Sequence, residues 1–109
     1  MKTSLFKMNR EEIKKNITQG VLNHTPCLYT RALFNNKLKF GVIITKKTTK
    51  QAVVRNKLKR KIKEIVRRSI PQIKNKAEII FLSKPGLDKL SNQELNKAVL
   101  YLLSKNNLI

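Results

Sequence analysis

Residues 52–70 read AVVRNKLKRKIKEIVRRSI, a run whose apolar positions recur at helical spacing. At about 100° per residue, Val54, Leu58, Ile62, Ile65 and Val66 gather within about a third of the circumference, so one side of a helix belongs in a core. Opposite them Asn56, Arg60, Lys63 and Arg67 form a narrow strip, flanked by Lys59 on one side and by Lys57, Lys61 and Arg68 on the other. Pro71 sets the end of the helix near Ile70. Arg55 projects into the apolar sector. Either the regular helix starts after it, or its stem lies across the edge of the core with the head reaching out.

An ordinary solvated helix face mixes signs, because acid–base pairs three or four residues apart stabilise it. Between Lys46 and Arg68 there are eleven basic residues and one acid, Glu64, placed to pair with Arg60 or Arg68. A helix that accepts such self-repulsion is built to meet phosphate. Guanidinium grips phosphate or a base edge through two parallel hydrogen bonds, and Lys adds a less directional charge. Asn56 both donates and accepts, which suits a base edge or a 2′-hydroxyl.

Working outward, Lys46–Lys50 is a basic connection, and Thr48 with Gln51 has the spacing of a helix cap. Residues 27–34 (CLYTRALF) alternate as a strand, with Tyr29, Arg31 and Leu33 on one face and Leu28, Thr30, Ala32 and Phe34 on the other. The turn signal Asn35-Asn36-Lys37 separates them from a second strand at 38–45 (LKFGVIIT), so an antiparallel hairpin is expected. Asn9 and Glu12 form a capping box for a helix over 9–19. Ile13, Ile17 and Val21 line one face of it, and Gly20 stops it. Residues 78–83 (EIIFLS) are a third strand, closed by Lys84-Pro85-Gly86. Ser91 and Glu94 cap a last helix with an apolar stripe of Leu95, Ala98, Val99, Leu102 and Leu103. The order α, β, β, α, β, α over residues 1–109 predicts one α+β domain with a small sheet.

The whole chain carries 25 Lys and Arg against six acids, a net charge of +19. Nucleic acid is the expected partner, since neutralising its phosphates releases counterions. A membrane surface is not expected. A basic helix lying on lipid wants Trp, Phe or Leu along its apolar face, whereas this chain has no Trp and residues 55–68 have no aromatic. Cys27 is the only cysteine, as in a reducing compartment. With no apolar run long enough to span a bilayer and no signal-peptide core at the start, a cytoplasmic location is expected. Catalytic groups are sparse. The acids are scattered apart from Glu11 and Glu12. His24 and Cys27 supply two ligands where zinc wants four, and three glycines build no phosphate-cradling loop. No cofactor is expected on the protein.

Ala52-Val53-Val54-Arg55-Asn56-Lys57-Leu58-Lys59-Arg60 resembles the A-V-x-R-N-R-x-K-R signature of the protein subunit of bacterial ribonuclease P. Upstream, residues 39–47 (KFGVIITKK) are similar to that family's R-[V/L]-G-x-x-V-S-K-K strand. Downstream, residues 80–86 (IFLSKPG) are similar to its V-I-A-R-P-G segment, and the first and last helices match in order. The resemblance covers nearly the whole chain. It implies a two-layer α/β sandwich of about four strands and three helices, akin to a ribosomal-protein second domain, with a left-handed βαβ crossover that ordinary handedness disfavours. It further implies a protein subunit of an endoribonuclease whose RNA holds Mg2+ and removes the 5′ leader of precursor tRNA. The catalytic RNA would be bound through Arg55, Asn56, Lys57, Lys59, Arg60, Lys63 and Arg67. The leader would lie in a cleft that includes Ile13, Ile17, Tyr29, Arg31, Thr45, Lys46, Lys47 and Lys84. The protein is expected to be a monomer without RNA and to bind it one to one.

The chain departs from the pattern in places. Lys57 stands for the second Arg of the signature, exchanging a fork for a point charge. Ile13 and Ile17 stand where Phe is common, and Arg31 where Tyr is common. Tyr29 can still stack on a base, although it and Phe40 suit plain sheet packing equally well. Two other classes share the charge and size: a structural ribosomal-type protein attached to no reaction, and a nonspecific DNA-binding module.

Overall fold

All seven residues of Ala77–Ser83 are buried, as a strand covered on both faces and flanked on both edges requires. In the computed structural model, which describes residues 6, 8–34 and 36–109, this strand lies inside a four-stranded sheet. The elements in chain order are α1 (Arg10–Gln19), β1 (Val21–His24), β2 (Leu28–Phe34), β3 (Lys39–Ile43), α2 (Ala52–Ser69), β4 (Ala77–Ser83) and α3 (Asn92–Lys105). The sheet order is β1-β2-β4-β3, with β1–β2 and β2–β4 antiparallel and β3–β4 parallel. The domain is thus α+β with three helices and a mixed sheet.

The expected hairpin between the second and third strands does not form. β4 separates them, pairing Arg31 with Ile80 on one side and Gly41 with Ile80 on the other. The physical reason is burial: β4 is the most continuously apolar strand, and only an inner position covers it on both sides. Asn35, in the predicted turn, lies outside the described residues. A second correction concerns Val21. It is not on the first helix's buried stripe but opens β1, a four-residue edge strand absent from the predicted order. Val21 is 54% exposed and Ile17 40% exposed, so the buried contact of α1 is Asn16 instead, whose amide donates to the Glu78 carbonyl.

α2 and α3 pack together on one sheet face and α1 lies on the other. On the α2/α3 side, Leu28, Ala32, Phe40, Ile79 and Phe81 of the sheet meet Leu58, Ile62, Ile65 and Val66 of α2 and Leu95, Val99, Leu102 and Leu103 of α3. The predicted apolar sides of both helices are therefore the core sides. Asn106, just past α3, is buried, and its amide donates to Thr30 Oγ1 (3.0 Å) and to the Leu102 carbonyl (2.7 Å). Its own Oδ1 accepts from Asn23 (3.0 Å), so one side chain ties α3 to β1 and β2. Asn107 then takes φ 61°, a left-handed residue after a helix end.

α1 carries the predicted capping box: Asn9 accepts from the Glu12 amide and Glu12 accepts from the Asn9 amide. Glu12 also pairs with Lys39 of β3 at 2.7 Å. That hydrogen bond, followed by the Asn9 amide, holds its carboxyl below the usual glutamate range. Gly20 ends α1 with extended backbone, φ −71°, not the left-handed turn glycine often supplies. Glycine is needed because a Cβ there would run into the Asn16 backbone carbonyl as well as its Oδ1.

Candidate nucleic-acid interface

α2 begins at Ala52 with Gln51 as its cap residue and no side-chain cap. The predicted cap, Thr48, is instead buried at the end of the sheet. Its hydroxyl donates to Ser83 Oγ at 2.7 Å. Arg55 reaches back from the first turn, donating from Nη1 to the Thr49 carbonyl at 3.0 Å. Its helix does not start late, and its head folds back onto the loop before the helix.

With Leu58, Ile62, Ile65 and Val66 sealed in, the opposite side faces solvent. Asn56, Lys57, Arg60 and Arg67 are exposed, and Arg55, Lys59 and Lys63 are half-buried. Glu64 pairs with Arg67 at 2.9 Å, not with Arg60 or Arg68 as the spacing predicted. Both side chains are 54% exposed, so the pair contributes little. Lys61 turns toward α3, donating to Asn92 Oδ1 at 2.8 Å. The ring of Phe6 lies 5.8 Å from Lys63 Nζ and 5.5 Å from the Arg67 guanidinium carbon.

A second basic surface lies on the sheet face that α1 covers only partly. Tyr29 and Arg31 point to that face from β2, with Leu22 and His24 opposite them on β1. Together with Lys84 they line a shallow depression of about 260 Å³. Lys84 Nζ sits 5.7 Å over the Tyr29 ring and donates to the Thr25 carbonyl at 2.9 Å. Arg31 donates from Nη1 to the Gly20 carbonyl at 3.3 Å. Each cation keeps further donors, since an ammonium has three and a guanidinium five. Leu22 and His24 escaped the sequence reading because β1 did. Gly20, a natural stop, hid the short strand behind it.

Of the other expected cleft residues, Lys46 and Lys47 are exposed and Thr45 is half-buried, its amide donating to Ser83 Oγ at 2.9 Å. These three lie at the same end of the sheet as Lys84 but do not line the depression. Ile13 is half-buried on α1 and Ile17 exposed, both aliphatic. Phe40 is fully buried and belongs to the core. His24 is exposed and Cys27 half-buried. Among the described residues no three His, Cys, Asp or Glu side chains gather as a metal site, and no helix is long and apolar enough to cross a membrane.

A family model described as Ribonuclease P matches residues 3–107. A ribonuclease P protein component from Pseudoalteromonas atlantica is 39% identical over 90 residues, covering 78% of this chain and 69% of the relative. Similar components from Microcystis aeruginosa and Syntrophomonas wolfei are 37% and 36% identical, covering 65% and 71% of this chain. The chain spans about 60% of the length of those two relatives (59% and 62%). Among solved structures, the ribonuclease P protein of Staphylococcus aureus superposes with a TM-score of 0.86 at 17% identity, covering 95% of this chain and 96% of that one. The Thermotoga maritima protein gives 0.82 at 21% identity, covering 92% and 96%. At such identities these two speak to the fold.

Proposed function

The chain belongs to the ribonuclease P protein family, and from that premise we propose that it is the protein subunit of a ribonuclease P, binding the catalytic RNA and assisting removal of the 5′ leader from precursor tRNA. The supporting observation is the two-sidedness of α2: its apolar side is sealed into the core, and its back presents Asn56, Lys57, Arg60, Lys63 and Arg67 with Glu64 as the lone acid on the helix. Arg55 and Lys59 extend that surface. Docked on folded RNA, each cation neutralises a phosphate and releases counterions. Arg60 and Arg67 add two-pronged geometry.

The depression around Tyr29 is the place for the leader. A base stacks on the phenol ring, while Arg31 and Lys84 meet the flanking phosphates. We assign Lys46, Lys47 and Thr45 at the end of the sheet, and Ile13 and Ile17 of α1, to the same track. Hydrolysis and its Mg2+ belong to the RNA in this scheme; the protein holds substrate and scaffold together. One protein per RNA, a monomer when free, and a cytoplasmic setting complete the proposal.

The test mixes the protein with a ribonuclease P RNA and labelled precursor tRNA at low Mg2+. Cleavage should rise well above that of RNA alone. No gain, with rRNA fragments bound equally well, would instead fit a structural ribosomal-type protein.

A further inference from the structure

Two side chains that precede α1 meet the edge strand β3. Met8 packs over Gly41 on the α1 face, its sulfur 3.3 Å from where a Cβ would stand. Two residues earlier, Phe6 packs on Phe40, which points to the α2 face, with ring centroids 5.9 Å apart and planes tilted 37°. Phe40 is fully buried, so Phe6 has a rigid floor. It also meets two cations one helical turn apart on α2, Lys63 at 5.8 Å and Arg67 at 5.5 Å. The Glu64 carboxylate holds the Arg67 head at 2.9 Å.

We propose that Phe6 is a positioning residue for RNA binding. Its ring orders the Lys63 and Arg67 side chains on the back of α2 before the RNA arrives. This rests on the docking role given above to that surface. A free Lys or Arg loses much rotamer entropy when it is fixed on a phosphate. A ring that attracts both heads through its π face settles part of that cost in the free protein. Phe6 itself neutralises nothing, so its removal should not alter how many counterions are released. An ordering residue therefore differs from a contacting one: affinity falls while the salt slope stays put.

Phe6→Leu keeps an apolar side chain on Phe40 but has no π face; Phe6→Tyr keeps the face. Binding of each full-length variant to a ribonuclease P RNA is measured across a salt series, beside melting temperature and the NMR shifts of the Lys63 side-chain methylenes. Phe6→Leu should bind about three- to tenfold more weakly, as expected for one to two such contacts. Its salt slope should be unchanged and the Lys63 methylenes should lose their upfield ring shift, while Phe6→Tyr behaves as the parent. Parent-like affinity for Phe6→Leu overturns the proposal, as does an equal loss in Phe6→Tyr accompanied by a lower melting temperature, which marks packing alone. The double variant Lys63→Ala/Arg67→Ala tests the docking role separately. It should lower the slope by about 0.7–0.9 per lost phosphate contact. An unchanged slope there, whatever Phe6 does, refutes the docking surface itself.

Discussion

Tyr29 shows how one position is settled by its neighbours. Its alternation with Leu28 and Thr30 is readable from sequence, but a strand pattern leaves open which face is covered and which is bare. In the fold, Leu28 and Thr30 are fully buried while Tyr29 stays half-exposed beside Arg31 and under Lys84. Phe40, with the same packing alternative, went the other way because its face meets α2. Stacking one base on an aromatic ring is worth about 1–3 kcal/mol, so Tyr29→Ala should weaken binding of leader-bearing precursor tRNA by about five- to a hundredfold. Mature tRNA, lacking the leader, should bind as before. Equal losses on both substrates would point to damaged folding. The site was only partly legible, and for a physical reason. Tyr29, Arg31 and Lys84 stand out by type, but Leu22 and His24 join them only through pairing with β2, which a four-residue edge strand does not announce.

Among elements, α2 was the most legible, because a period of 3.6 and a predominantly basic outer face are both local properties. The strands were less so. Which strand pairs with which depends on burial across the whole sheet, and the preference for joining chain neighbours predicted a hairpin that β4 displaces. α1 was legible in its cap and not in its docking. It is fastened less by an aliphatic stripe than by polar links: Asn16 to the Glu78 carbonyl, Arg31 to the Gly20 carbonyl, and Glu12 to Lys39. The ion pair makes this attachment sensitive to acid. Glu12 has a folded pKa depressed chiefly by the Lys39 hydrogen bond and then by the Asn9 amide. Its contribution is therefore fully present above the unfolded glutamate value and is lost as pH falls through the lower folded value. Glu12→Gln keeps a side-chain acceptor for the capping box and removes the charge. Its stability should sit below the parent near neutral pH and converge with it in acid, as followed by urea unfolding at a series of pH values. A constant gap down to pH 2–3, about the bottom of the carboxylate range, would mean that the carboxylate's charge is irrelevant to α1.

For the molecule as a whole, charge is the dominant fact. Six acids can neutralise at most six of the 25 Lys and Arg, so the folded chain repels itself at every pH near neutral. Folding concentrates that charge on two surfaces: sealing α2 lines its cations along one side, and pairing the strands brings Arg31 and Lys84 together around Tyr29. Added salt should then act in two opposed ways. It screens ion pairs such as the exposed Glu64–Arg67, worth at most about 1 kcal/mol, and, less strongly, the partly buried Glu12–Lys39. It also screens the far more numerous repulsions, as the Debye length shrinks from about 10 Å at 0.1 M salt toward about 3 Å at 1 M. Repulsion should win, and the melting temperature should rise from 0.05 to 0.5 M NaCl by several degrees, at about 4–8 °C per kcal/mol for a domain this size. RNA should do better at low salt, because it screens and also binds only the folded form, adding RT ln(1 + [L]/Kd). Differential scanning calorimetry separates the cases. A melting temperature that falls with salt would mean that attractive pairs outweigh repulsion. The cations on the back of α2 would then be spaced widely enough that their mutual repulsion costs the fold little, and the gain from RNA at low salt would come from binding to the folded form alone.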